Sequence, residues 1–332
     1  MPSRIVVLGT GGTIAGQAAS TTDHVGYRAG EVRVADLVAA IPALQSHVLD
    51  FEQLAQLDSK DMGFETWALL ARRTQALLDD PTVQGVVITH GTDTLEETAY
   101  LLHRVLKGHK PVVLTAAMRP ASALSADGPQ NLLDAVVLAE SQGVFGVLVA
   151  FGGAVYRGDR VRKVHSYRVD AFASPDAGPV AWVEAGQVRP LVPWVEPDGW
   201  GVEGLPLQAR SWPRVELLWN AAGVDGEMVP LLIALAQREN RRLGLVVAGT
   251  GNGTLAQPLE RALQNAQAAG VRVLRCTRCA AGPVIPAHDS DLPSAGALSP
   301  PQARVMCLLS LLADAADQVE GVSARSVVPP MP

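Results

Sequence analysis

Two glycine-rich turns carry the first residues whose type and spacing could do chemistry. The run Leu8-Gly9-Thr10-Gly11-Gly12-Thr13-Ile14-Ala15-Gly16 sets two threonine hydroxyls in a turn whose glycines let backbone N–H groups approach a substrate oxygen. In the second run, Thr89-His90-Gly91-Thr92-Asp93-Thr94-Leu95-Glu96-Glu97-Thr98, a glycine turns the chain and Thr92 and Asp93 fall at a helix N-terminus, where negative charge is stabilised. Taken singly, the first is a tight turn and Asp93 is a helix cap. Taken together at one sheet edge, the turns could present two threonines to one pocket, the layout expected of a hydroxyl nucleophile with its helpers.

Such a nucleophile needs a base, but the sequence holds no Gly-x-Ser-x-Gly elbow and its order yields no specific Ser-His-Asp set. His90 adjoins the second turn but reads more simply as a histidine packed beneath it. Lys163, in Arg157-Gly158-Asp159-Arg160-Val161-Arg162-Lys163, is a candidate, because a desolvated lysine titrates low enough to accept a proton. From pattern alone it is one charged loop residue among several. A dinucleotide fingerprint fails at Ile14, where a glycine is wanted, and no Gly-Lys-Ser/Thr forms a phosphate loop, so no cofactor is expected. Cys276-x-x-Cys279 lacks the second ligand pair of a zinc site and, with Cys307, reads as structural thiols; no metal is expected.

The elements that must position these turns are short continuous apolar runs alternating with helix-length amphipathic ones. Residues 5–8, 85–89, 111–114 and 146–150 read as buried parallel strands, and 64–78, 94–107 and 131–141 as helices between them. This is the rhythm of a mainly parallel sheet with helices on both faces. A Pro/Gly/Trp-rich stretch, 191–213, reads as a linker. Beyond it, strand-like 215–219, 243–248 and 271–275 alternate with helical 229–239, 255–269 and 301–315. The expected fold is therefore α/β: a large N-terminal domain over 1–190 and a smaller C-terminal α/β domain over 214–332.

Composition bounds the rest. At 332 residues, with 48% hydrophobic and 18% charged residues, the chain reads as an ordinary globular protein of two domains. A formal charge of −6 without a basic run argues against nucleic acid as a partner. No apolar run nears the roughly 20 residues that span a bilayer, so no membrane partner and a cytoplasmic location are expected.

Both turns also match the signatures of the bacterial-type L-asparaginase and glutaminase family, which the chain resembles: Thr-Gly-Gly-Thr-Ile-Ala-Gly at 10–16 and His-Gly-Thr-Asp-Thr-Leu-Glu-Glu-Thr-Ala-Tyr at 90–100. The resemblance continues through Tyr27-Arg28-Ala29-Gly30, Asp58-Ser59-Lys60-Asp61-Met62, Ala117-Met118-Arg119-Pro120, Ser125-Ala126-Asp127-Gly128-Pro129-Gln130-Asn131-Leu132, Gly251-Asn252-Gly253-Thr254-Leu255 and Gly296-Ala297-Leu298-Ser299-Pro300. It implies hydrolysis of L-asparagine, with Thr13 as nucleophile, Tyr27 as its partner on a flexible loop, and Thr92, Asp93 and Lys163 as a second, proton-relaying group. It further implies that Ser59 and Asp93 hold the α-carboxylate and α-amino groups, that Ala117 lies near the oxyanion, and that Asn252 reaches the pocket of a neighbouring subunit. A homodimer or homotetramer with sites at subunit interfaces follows. Lys60 stands where many relatives carry Gln and is a further substrate-contact candidate; Asp289 and Asp291 are the candidates for an acid that some relatives lend from a neighbour. A broader glutaminase-asparaginase is the near alternative, and a non-catalytic amino-acid sensor or the amidase subunit of a tRNA-dependent amidotransferase a more distant one.

Overall fold

The computed structural model describes residues 4–17, 20, 22, 26, 28–196, 198–285 and 292–320, the side chains of 316–320 apart. It divides into two compact units, Met1–Glu203 and Gly204–Pro332.

In chain order the first unit holds β1 (Arg4–Gly11), α1 (Val34–Ala39), β2 (Leu49–Leu57), α2 (Phe64–Asp79), β3 (Val83–Thr89), α3 (Leu95–Val105), β4 (Pro111–Thr115), α4 (Gly128–Glu140), β5 (Gly146–Phe151), β6 (Ala154–Arg157), β7 (Arg162–Lys163), β8 (Phe172–Ala173), β9 (Ala181–Glu184) and β10 (Gln187–Pro190). Eight strands form one sheet in the order β10-β9-β6-β5-β4-β3-β1-β2. Strands β2, β1, β3, β4 and β5 run parallel, and β6, β9 and β10 extend the sheet antiparallel. Of these, β1, β3, β4 and β5 are Val/Ile/Leu runs because both faces are covered. Ile5, Val7, Val87, Val113, Leu148 and Ala150 pack with residues of α1 and α4 in one core cluster. The alternating set, Val6, Leu8, Val86, Ile88, Val112 and Leu114, points the other way and is equally buried.

Strand order decides where a ligand fits. From β1 the chain goes to β2 on one side and returns to β3 on the other, so the connections diverge between β1 and β3. In an open parallel sheet, the crevice beyond the carboxyl ends of strands at such a switch point is the binding position. β1 ends in Gly9-Thr10-Gly11 and β3 in Thr89, which pairs with Gly9. Both threonine turns thus leave the sheet at the switch point.

Four expected strands correspond to β1, β3, β4 and β5. β2 carries no apolar run: it is an edge strand, half exposed, with Asp50, Glu52 and Gln53 among its residues. The short antiparallel strands after β5 also escape a pattern tuned to long buried runs. Within the stretch expected as linker, Trp200 N–H donates to Arg104 O at 2.9 Å and the Arg104 guanidinium sits 4.7 Å from the Trp200 ring centroid, so its first part packs onto α3.

The second unit holds β11 (Arg214–Trp219), α5 (Met228–Arg238), β12 (Leu243–Gly249), α6 (Gln257–Ala268), β13 (Arg272–Thr277) and α7 (Pro300–Glu320). Its three strands are parallel in the order β11-β12-β13. Val229, Leu245, Val247, Leu259, Leu263 and Val273 share one core with α5 and α6. α7 covers the other face, where Gly244 leaves room for Cys307: a Cβ on Gly244 would come within 2.5 Å of its sulfur.

Candidate active site

Thr13 opens a short 3-10 turn, Thr13–Ala15, directly after β1, and is 5% exposed. Gly12 makes that turn possible at φ +83°, its N–H donating to Leu57 O at 2.9 Å. On the far side of the switch point, Gly91 brings Thr92 and Asp93 to the start of α3. Thr10 Oγ1 donates to Thr89 O at 2.9 Å and ties the strand ends together. A Cβ on Gly12 would meet the Cα of Gly91 at 2.4 Å, so the two turns touch backbone to backbone.

Around the second turn the bonds are dense. Lys163 Nζ lies 2.9 Å from Thr92 Oγ1 and 2.6 Å from Asp93 Oδ1. Asp93 N–H donates to Ser59 Oγ at 3.1 Å, and Thr94 Oγ1 donates to Ser59 O at 2.8 Å. Ser59 is 2% exposed, beneath Gly91. The arrangement puts a hydroxyl, an ammonium and a carboxylate in one hydrogen-bonded group next to the turn that carries Thr13, which is what moving a proton at an attacked amide needs.

His90 is wholly buried and fully committed. Nδ1 lies 2.7 Å from the Gly91 carbonyl, which only accepts, so Nδ1 carries the proton. Nε2 therefore accepts from Thr98 Oγ1 at 3.0 Å, and that oxygen in turn accepts from Trp67 Nε1 at 2.9 Å. Burial pushes the His90 pKa down to about 4, leaving a neutral ring that braces the turn.

Other candidates fall in varied places. Ala117 is fully buried near the Thr13 turn: a Cβ on Gly128 would lie 2.8 Å from an Ile14 carbon and 3.4 Å from the Ala117 methyl. Lys60 does not point into this group. Its side chain is 60% exposed and pairs with Asp61 and Asp58, whose hydrogen bonds and charges raise its pKa. Asn252 lies in the second unit and closes a two-way bond with the Ile285 backbone, Nδ2 to O at 2.8 Å and Oδ1 from N at 2.7 Å. Tyr27, Asp289 and Asp291 lie outside the described residues. The neighbouring segment does return to the Thr13 turn, with Gly30 N–H donating to Gly12 O and Gln17 bridging Arg28.

Three buried or half-buried residues were not singled out from sequence. Asp127 accepts from the Met118 and Arg119 N–H groups at 3.0 and 2.9 Å. Asn131 links Ala116 O to Gly152 N–H, at 2.9 and 3.0 Å. Glu96 accepts from Lys163 N–H at 2.6 Å. All three fall within the stretches that carry the family resemblance, which is the signal that could have marked them.

Comparison with known proteins agrees over nearly the whole chain. The family description "Asparaginase, N-terminal" matches residues 4–194 and "Glutaminase/Asparaginase C-terminal domain" matches 214–321. The chain is 35% identical to a glutaminase-asparaginase of Pseudomonas fluorescens biotype A, covering 93% of this chain and 86% of that one. It is 34% identical to L-asparaginase 2 of Escherichia coli K12, covering 92% and 88%. The crystal structure of a probable cytoplasmic L-asparaginase from Campylobacter jejuni superposes with a TM-score of 0.83 at 37% identity, over 93% of this chain and 95% of that one. Fold and matches together define an amidohydrolase of two α/β units. The chain belongs to the family of asparaginases and glutaminase-asparaginases.

Proposed function

We propose that the chain hydrolyses L-asparagine to L-aspartate and ammonia through an ester on Thr13. The carrying observation is the Thr92–Asp93–Lys163 group, bonded at 2.9 and 2.6 Å and set against the Thr13 turn by the Gly12–Gly91 contact. Thr13 Oγ attacks the side-chain amide carbon while its proton passes through neighbouring hydroxyls, Tyr27 among them, to the Asp93 carboxylate of the group that Lys163 completes. Collapse of the tetrahedral adduct breaks the C–N bond as the nitrogen takes up a proton, and ammonia leaves. Water then attacks the ester carbon, its proton returning to Thr13 Oγ as aspartate departs. Ser59 and Asp93 answer the substrate's α-carboxylate and α-ammonium, and the peptide groups near Ala117 answer the oxyanion.

The reading extends to a homodimer or homotetramer in the cytoplasm, with Asn252 serving a neighbour's pocket. It is supported by family membership, and the location by the similarity to the probable cytoplasmic L-asparaginase of Campylobacter jejuni. The test is ammonia release from free Asn, free Gln and buffer alone, run beside Thr13→Ala. Turnover of Asn that vanishes in the variant is expected; equal turnover of Gln would move the assignment to a glutaminase-asparaginase, and no turnover of either would leave an amino-acid sensor.

A further inference from the structure

We infer that Glu96 is a positioning residue that sets the backbone of Lys163 so that its ammonium reaches Thr92 and Asp93; this rests on the proton-handling role just proposed for Lys163. β7 is only two residues long and pairs with β8 alone, Lys163 opposite Phe172. The strand therefore brings few bonds of its own to fix the root of a long, flexible side chain. Its other side faces α3, and there the Glu96 carboxylate, in a residue 8% exposed, accepts the Lys163 N–H at 2.6 Å. A carboxylate accepting from a backbone N–H is a strong, directional anchor, and a buried one is costly to break.

The geometry closes a ring. Lys163 is held at its tip by Thr92 and Asp93 and at its root by Glu96, all within a five-residue stretch at the start of α3. Thr92 and Asp93 lie in the bend ahead of α3 and Glu96 in its first turn, so one short stretch of chain carries all three partners of Lys163. The same helix face runs on to the loop that delivers Lys163. A Cβ on Gly158 would meet Ala99 O at 2.9 Å, and Asp159, bound bidentately by Arg157, lies 3.8 Å from His103 Nε2. Positions 96, 99 and 103 thus measure out the 157–163 loop along α3, and Glu96 is the one that touches Lys163 itself. Its place in the first turn of α3 also suits a negative charge.

A double-mutant cycle tests the inference. Glu96→Ala should lower kcat for Asn by about 10- to 100-fold, with KM within about threefold, since the ammonium acts on the reacting group. Glu96→Gln, which keeps an acceptor oxygen, should recover at least about tenfold of that loss. In a Lys163→Met background, Glu96→Ala should cost nothing further, because its effect passes through Lys163. The same variants, checked for wild-type circular dichroism, separate the outcomes. Additive losses in the cycle, or no recovery in Glu96→Gln, would overturn the role of Glu96 while leaving Lys163 in place. Lys163→Met with wild-type kcat would instead remove the underlying reading of the site.

Discussion

Gly12 rests on Gly91 with no room for a methyl group between them: an added Cβ would stand 2.4 Å from both the Cα and the N of Gly91. Gly12 also holds φ +83°, which L side chains rarely adopt. Gly12→Ala should therefore part the Thr13 turn from the Thr92 turn, at a cost on the order of 2–4 kcal/mol in stability. Activity should fall by more than about 100-fold, because a displacement of an ångström between reacting groups is enough for that. Kinetics and thermal melts on a soluble variant check both, and near-normal kcat would show that the turns do not act together.

Thr13→Ala should fold and lose nearly all turnover, about a thousandfold or more, since the covalent step goes with the hydroxyl. Appreciable residual activity would transfer the nucleophile to Thr92. Thr92→Val and Lys163→Met should each cost kcat heavily and their combination little more, as members of one hydrogen-bonded unit do.

Lys60→Gln should leave kcat and KM for Asn and Gln unchanged within about twofold. Its ammonium is exposed and already paired with Asp58 and Asp61. Steady-state kinetics with a clear KM shift would return Lys60 to the substrate.

Protonation of His90 should weaken the fold at mildly acidic pH. Its folded pKa is near 4 against an unfolded value of 6.5, so between those values the unfolded chain binds a proton that the folded one refuses. The contribution is complete above pH 6.5 and declines as pH falls toward 4, by up to roughly 3 kcal/mol. Urea titrations between pH 7.5 and 5 should show stability falling with pH, and a His90→Gln variant should lose part of that slope. Parallel slopes would reject it.

Asn252→Asp should loosen the second unit, because a carboxylate would face the Ile285 carbonyl where the amide now donates. A loss of about 1–3 kcal/mol in that unit is expected by denaturant titration. Should Asn252 also serve a neighbouring subunit, specific activity will fall on dilution in step with dissociation followed by sedimentation; a fully active monomer would exclude that role.

How much was legible in the sequence follows from physical range. The buried strands β1, β3, β4 and β5 announce themselves because apolar continuity is a local property of strands covered on both faces. β2 was silent because an edge strand needs no such run, and its Glu52 pairs outward with Arg73. Thr13, Thr92 and Asp93 stood out through glycine spacing, whereas Lys163 was one charged loop residue among several until the resemblance singled it out, for its approach to Thr92 spans 71 residues of chain. Lys60 depends on its nearest neighbours in sequence, Asp58 and Asp61, whose carboxylates hold its charge beside Ser59.

The brevity of β7 has a thermodynamic consequence. A two-residue pairing beside a partly exposed loop opens far more cheaply than the eight-stranded sheet behind it. Amide hydrogens of Arg162 and Val164 should exchange with solvent through such local openings, ahead of those in β1 or β4 and of the Lys163 amide that Glu96 holds. On warming, Lys163 would leave Thr92 while the sheet is still intact, so catalysis should fade reversibly some degrees below the melting transition, and return on cooling.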